Sequence, residues 1–83
     1  MEGRIPGRIS VYWPERRYGF IVDFTEPREL FFHETDIIPT KIPPEQWRDV
    51  DFQLGKYRGR LKAVRIRILP QPADVLAGDG GAK

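Results

Sequence analysis

Five short stretches of this chain alternate apolar and polar residues with a period of two, and proline, glycine or a cluster of charge separates each from the next. They are "GRISVYW" (7–13), "RYGFIVDF" (17–24), "ELFFHE" (29–34), "DVDFQL" (49–54) and "RLKAVRIRIL" (60–69). Successive side chains on a strand point to opposite faces, so a period of two belongs to β-structure with one face buried. Helix signals are nearly absent. Short strands at this spacing predict an all-β fold, a small barrel or sandwich.

The segments between the strands fit that reading. Pro27 in "FTEPRE" (24–29) cannot donate to a ladder, so the chain is expected to reverse there and pair the second stretch with the third. "TDIIPTKIPPEQW" (35–47) carries three prolines and reads as a long crossover between two halves of a barrel. Pro44 is placed to open one helical turn from Glu45 to Trp47. In "DVDFQL" the inward set is Val50, Phe52 and Leu54. In the last stretch it is Val64, Ile66 and Ile68, and Leu61 and Ala63, out of phase with them, predict a bulge near Ala63. The size of Trp13 and Trp47 argues for burial, in the core or capping a barrel end. Residues 5–69 therefore form one barrel. Residues 70–83, "PQPADVLAGDGGAK", are expected to be a flexible, disordered tail, with too little apolar area to fold.

An 83-residue chain buries only about 60% of its unfolded surface, so its core must be economical. Without cysteine it has neither a disulfide framework nor a thiolate metal site, which fits a reducing, cytoplasmic setting. No apolar run approaches the roughly 18 residues of a membrane span, and "MEGRIPGR" is no signal peptide, so no membrane partner is expected. Enzyme readings fail on inventory. There is one histidine, and Ser10, the one serine, has no base near it in sequence. No carboxylate pair stands out, and "GDGG" (78–81) precedes no helix. A metal site from His33, Glu34 and Asp36 has poor geometry, because adjacent residues on a strand point apart. The expectation is no catalysis, no cofactor, no metal and no small-molecule substrate.

Orientation of the second and third strands decides the function. Ile21 suits a core, and so would the rings of Tyr18 and Phe20. With those rings inside, Gly19 would leave a gap outside and Ile21 would face water, so the rings are read as outward. In "ELFFHE", Leu30 and Phe32 then face in and Phe31 and His33 face out. Four flat rings on one sheet face form an exposed patch that implies a ligand. Nucleobases fit, because each has a π-face that stacks on protein rings. Net charge is only +2, yet Lys56, Arg58, Arg60, Lys62, Arg65 and Arg67 follow one another with no carboxylate between them. That run is either a solvated strand face or a track for phosphates. The stretch from Asp23 to Asp36 is acidic, with five carboxylates against Arg28 alone.

"GRISVYWPERRYGFIV" (7–22) resembles the opening of a cold-shock domain, and "ELFFHETDI" (29–37) resembles that family's second motif, with weaker likeness through "VDFQL" and "AVRI". The resemblance implies a five-stranded antiparallel OB-type barrel that binds single-stranded RNA or DNA. It places Tyr18, Phe20, Phe31 and His33 at stacking positions and Arg8 and Arg16 at phosphate-facing ones, to which Arg17, Arg58, Arg60 and Lys62 are added as backbone contacts. Arg17 stands where the family has a glycine, and Glu34 where it has a further stacking phenylalanine. The family's loop phenylalanine has no counterpart unless Ile38 or Trp47 substitutes. For the aromatic of the first strand Tyr12 is favoured over Trp13, since alternation puts it with Arg8 and Ser10. A monomer is expected, with a dimer as the alternative. The rival readings are a barrel that presents its aromatic face to a protein, motivated by Glu34 and the acidic hairpin, and a structural barrel whose basic hairpin contacts duplex RNA nonspecifically.

Overall fold

A computed structural model describes residues 3–71 of the chain. The strands are β1 (Ile5–Trp13), β2 (Tyr18–Asp23), β3 (Arg28–His33), β4 (Asp49–Tyr57) and β5 (Arg60–Ile68), closed into a barrel in the order β1-β2-β3-β5-β4. All neighbouring pairs are antiparallel except β3–β5, which is parallel and meets at Phe31 opposite Lys62. The expected purely antiparallel barrel is corrected in that one seam. The expected tail falls outside the described residues, apart from Pro70 and Gln71. Among the described residues no helix is long and apolar enough to cross a membrane.

The core is Ile9, Ile21, Leu30, Phe32, Val50, Phe52, Ala63, Ile66 and Ile68. Phe32 and Phe52 are wholly shielded from solvent, and burying a side chain of that kind contributes about 1.5–3 kcal/mol. In β2 and β3 the inward set follows the simple alternation, with Ile21 opposite Leu30. Two bulges break the alternation elsewhere. In β1, Ile9 pairs with Ile21 but Val11 with Phe20, so one extra residue is inserted at Ser10–Val11 and the strand changes phase. In β5, Arg65 and Ile66 together face the single residue Phe52, with Arg65 at φ 48°. The bulge expected near Ala63 therefore lies two residues further on, and it brings Ala63 into the core in place of Val64, which is half-buried. Leu54 keeps the inward phase, opposite Ala63, but is 41% exposed where the β4–β5 hairpin leaves the core.

Gly19 answers to the first of these bulges. A Cβ there would collide with the Val11 carbonyl oxygen and come within 2.9 Å of Tyr12 Cα and 3.1 Å of Phe32 Cε1. After β3 the chain makes a 3₁₀ turn at Glu34–Asp36. In the crossover, no helical turn forms at Glu45–Trp47. The Arg48 amide donates to the Glu45 carbonyl (3.2 Å) with Trp47 at φ 71°, a β-turn that leaves Trp47 60% exposed and not buried as its size suggested.

The β2–β3 turn is organised by a buried carboxylate. Asp23 Oδ1 accepts from the Thr25 amide and hydroxyl (both 2.7 Å) and the Glu26 amide (3.2 Å), and Oδ2 accepts from Arg28 Nε (2.9 Å). Burial alone would raise its pKa, but the bonds from Thr25 and Arg28 outweigh burial and hold it below the ordinary value. A depressed folded pKa means the stabilisation is present above the unfolded value and lost as pH falls through the folded one.

Two outcomes are expected. Gly19→Ala forces β1 away from β2 and destabilises by about 1–3 kcal/mol in denaturant titration. Asp23→Asn removes the charge behind the acid-side loss, so its stability falls less than wild type's on acidification below about pH 4, read as melting temperature against pH.

Candidate nucleic-acid interface

The β1 bulge decides which rings share a face. Beyond it, Trp13 lies opposite Tyr18 and Val11 opposite Phe20, while across the next pair Tyr18 lies opposite His33 and Phe20 opposite Phe31. The rings touch edge to face: Trp13–Tyr18 at 5.5 Å, Trp13–Phe20 at 6.3 Å and Phe20–Phe31 at 6.0 Å between centroids, with Tyr18–Phe31 tilted at 5.5 Å. Tyr18, Phe20 and Phe31 are half-buried and Trp13 is 37% exposed. The result is a contiguous aromatic surface on the outer face of β1, β2 and β3.

Tyr12 is not part of it. The phase change turns Tyr12 toward Gly19 and into the barrel mouth, where its ring stacks on Phe32 (6.0 Å, 11° between planes). The expectation that Tyr12 supplies the ring of β1 is corrected to Trp13, which in turn is not a core residue. Tyr12 Oη donates to Glu34 Oε1 at 2.7 Å, and Glu34 also lies 4.0 Å from Arg17 Nε. Burial, then the bond and charge of Glu34, push the Tyr12 pKa up to about 12.

His33 stands beside Tyr18 at the end of β3, with Nδ1 accepting from the Thr35 amide (3.2 Å) and 3.0 Å from Thr35 Oγ1. Since Nδ1 accepts from an N–H, the neutral ring carries its proton on Nε2. The His33 amide donates to Asp36 Oδ2 (3.4 Å), and Asp36 Oδ2 in turn pairs with Lys62 Nζ at 2.6 Å. The 3₁₀ turn therefore fixes the ring and ties β3 to β5.

The basic candidates separate into groups. Arg8 lies toward the other end of β1, opposite Val22, where Nε bonds Asp49 (2.9 Å) and the guanidinium sits 5.5 Å over the Phe24 ring. Val22 alternates with Tyr18 and Phe20 on the outer face of β2, so Arg8 lies on the ring side of the sheet, beyond Phe20 and paired with Asp49. Arg16 Nη1 reaches Tyr18 Oη (3.5 Å), and Arg17, at φ 63°, occupies the turn before β2. Arg58, Arg60 and Lys62 belong to the β4–β5 hairpin. There a cleft of ≈ 510 Å³ opens between the hairpin and the ring face, lined by Phe20, Glu29, Phe31, Tyr57, Arg60, Leu61 and Lys62. Lys62 Nζ lies 6.0 Å from the Phe31 ring and 5.6 Å from the Tyr57 ring, so this lysine is committed to Asp36 and two rings together.

Trp13 and Tyr57 are the rings that reading the sequence did not place here. The signal for Tyr57 was present: Gln53, Gly55 and Tyr57 continue the outward phase of β4 past Leu54. Among the described residues no group of three or more histidine, aspartate or glutamate side chains is placed to hold a metal ion.

Because the folded state holds the Tyr12 proton more tightly than the unfolded chain, this contribution to stability is whole below about pH 10 and disappears as pH rises through about 12. Tyr12→Phe is expected to remove the tyrosine ionisation near pH 12 from the absorbance at 295 nm.

Among solved structures, the chain is similar to Drosophila Unr cold-shock domains (CSD456), with a TM-score of 0.73 and 29% identity over 87% of this chain and 29% of the Unr chain. No family model and no curated protein matches it. Closed five-stranded barrel, ring-bearing β2–β3 hairpin and that likeness agree: the chain has the fold of a cold-shock domain and is consistent with a divergent one.

Proposed function

We propose that this domain binds single-stranded RNA or DNA, stacking bases on Trp13, Tyr18, Phe20 and Phe31 with His33 at the edge of the platform, and holding phosphates with Arg16, Arg17, Arg58 and Arg60. The observation that carries this reading is the continuous outer ring surface of β1, β2 and β3, formed while a separate aliphatic and phenylalanine core fills the barrel. A stack between a base and a protein ring is worth about 1–3 kcal/mol and tolerates any base, because every base has a π-face.

The charge pattern favours the same ligand. Glu34, which would repel phosphates at the rim, is bonded to Tyr12 and faces Arg17. Asp36 is paired with Lys62. The motive for the rival reading, a face turned to a protein because of Glu34, is weakened by those pairings.

Phe31→Ala is expected to weaken oligonucleotide binding by about 1–3 kcal/mol with the barrel still folded by circular dichroism. Unchanged affinity in that variant counts against the stacking role. Affinity is also expected to fall with salt, log K against log[salt] having a slope of about −0.7 for each phosphate neutralised on a single strand. Equal affinity for duplex and single strand would instead favour nonspecific contact through the basic hairpin.

A further inference from the structure

Tyr57 sits outside the ring platform in sequence and on a different hairpin, yet three observations place it at the same surface. First, the pairing of Gly55 with Lys62 and of Phe31 with Lys62 puts Gly55, and two residues on Tyr57, on the outer face that carries Phe31. Second, Lys62 Nζ lies near both the Tyr57 and the Phe31 rings, so one ammonium, held by Asp36, fixes the two rings on either side of the cleft. Gly55 has no room for a side chain, since a Cβ there would come within 2.7 Å of Val64 Cγ1. Third, the Tyr57 ring is 58% exposed, and its cross-strand partner Arg60 lines the same cleft.

We propose that Tyr57 forms, with Phe31 and Phe20, a separate slot for one nucleobase, which lengthens the ring track across the β3–β5 seam and onto the β4–β5 hairpin. This rests on the single-strand reading above. A base is the occupant the lining favours. The cleft is mostly apolar and aromatic, its volume of ≈ 510 Å³ falls in the range of small-molecule pockets, and it is continuous with the platform through Phe20 and Phe31. The charges fix the polarity of the occupant. Arg60 lines the cleft, and Arg58 Cζ lies 5.3 Å from the centroid of the Tyr57 ring, so a phosphate next to the base is met on that side. Glu29 is the one carboxylate on the lining. It repels a phosphate and accepts hydrogen bonds, so the base edge, not the backbone, faces it.

The test is a length series of single-stranded homopolymeric oligonucleotides, from three to nine nucleotides, titrated against wild type, Tyr57→Ala and Tyr57→Phe. Wild type is expected to gain affinity until the slot is filled. Tyr57→Ala should match wild type on the shortest strands that bind, stop gaining one nucleotide earlier, and be about 5- to 150-fold weaker on the long ones, the equivalent of one lost stack. Tyr57→Phe keeps the ring and should follow wild type throughout. Identical curves for Tyr57→Ala and wild type at every length would overturn the slot while leaving the platform standing. An equal loss at every length would also overturn it, because a fold or charge defect does not depend on length. No binding by wild type at any length sinks the single-strand reading itself, and this slot with it.

Discussion

One inserted residue in β1 sets the arrangement of everything on the functional face. A strand without the bulge at Ser10–Val11 would keep Trp13 in phase with Ile9 and turn it inward, sending Tyr12 to the surface. With it, Tyr12 turns inward to stack on Phe32, and Trp13 swings out against Tyr18 and Phe20. The rearranged strand comes so close to β2 that its neighbour must be Gly19, where a Cβ has no room. The open platform is thus a consequence of how the barrel mouth is plugged. Core packing and ligand surface are two sides of the same local decision.

The acidic stretch between Asp23 and Asp36 has a structural explanation of the same local kind. Asp23 ties the β2–β3 turn, Glu34 takes the Tyr12 hydroxyl, and Asp36 holds Lys62. Of the five carboxylates, the three with the tightest surroundings are occupied inside the fold, and Glu29 is left to line the cleft. Counting charges along the chain gives an acidic hairpin facing a basic one. Pairing them shows that much of the acidity is spent on turns and closure, so the field over the rings is less negative than the sequence suggests. Arg8 and Lys62 are likewise paired, with Asp49 and Asp36, and the proposed phosphate contacts are the arginines beside the rings, Arg16, Arg17, Arg58 and Arg60.

Strand existence and the inward sets of β2 and β3 were legible in the sequence because there the two faces differ in kind: Gly19 and Ile21 against Tyr18 and Phe20, Leu30 and Phe32 against Phe31 and His33. The phase of β1 and β5 was not. "VYW" (11–13) offers an apolar or aromatic side chain in either register, and so does the pair Ala63–Val64, so an extra residue shifts the phase without leaving a mark in composition. Trp47 misled for a related reason. Size predicts burial on average, but a left-handed β-turn fixed by backbone bonds to Ile9 and Glu45 holds this tryptophan out regardless of its apolar area. Tyr57 was missed because the strand was ended at Leu54, where the core ends, although β4 continues for three residues as a two-stranded ribbon.

The parallel seam between β3 and β5 could not be read locally at all, and it is what joins the two halves of the candidate site. The rings come from residues 13–31 and the cationic hairpin from 57–62, and the β3–β5 ladder pairs them at a single position, Phe31 with Lys62. Closure there is reinforced by the Ile37–Ile66 bridge and by the Lys62–Asp36 ion pair, whose side chains are only 16% and 19% exposed. A pair so shielded is weakly screened by salt, unlike an exposed one. Lys62 therefore acts at three contacts simultaneously: it closes the barrel through Asp36 and sets the placement of Phe31 and Tyr57 through its ammonium. A lysine that reads in the sequence as one more phosphate contact is, in the fold, the post that holds the two sides of the cleft in register.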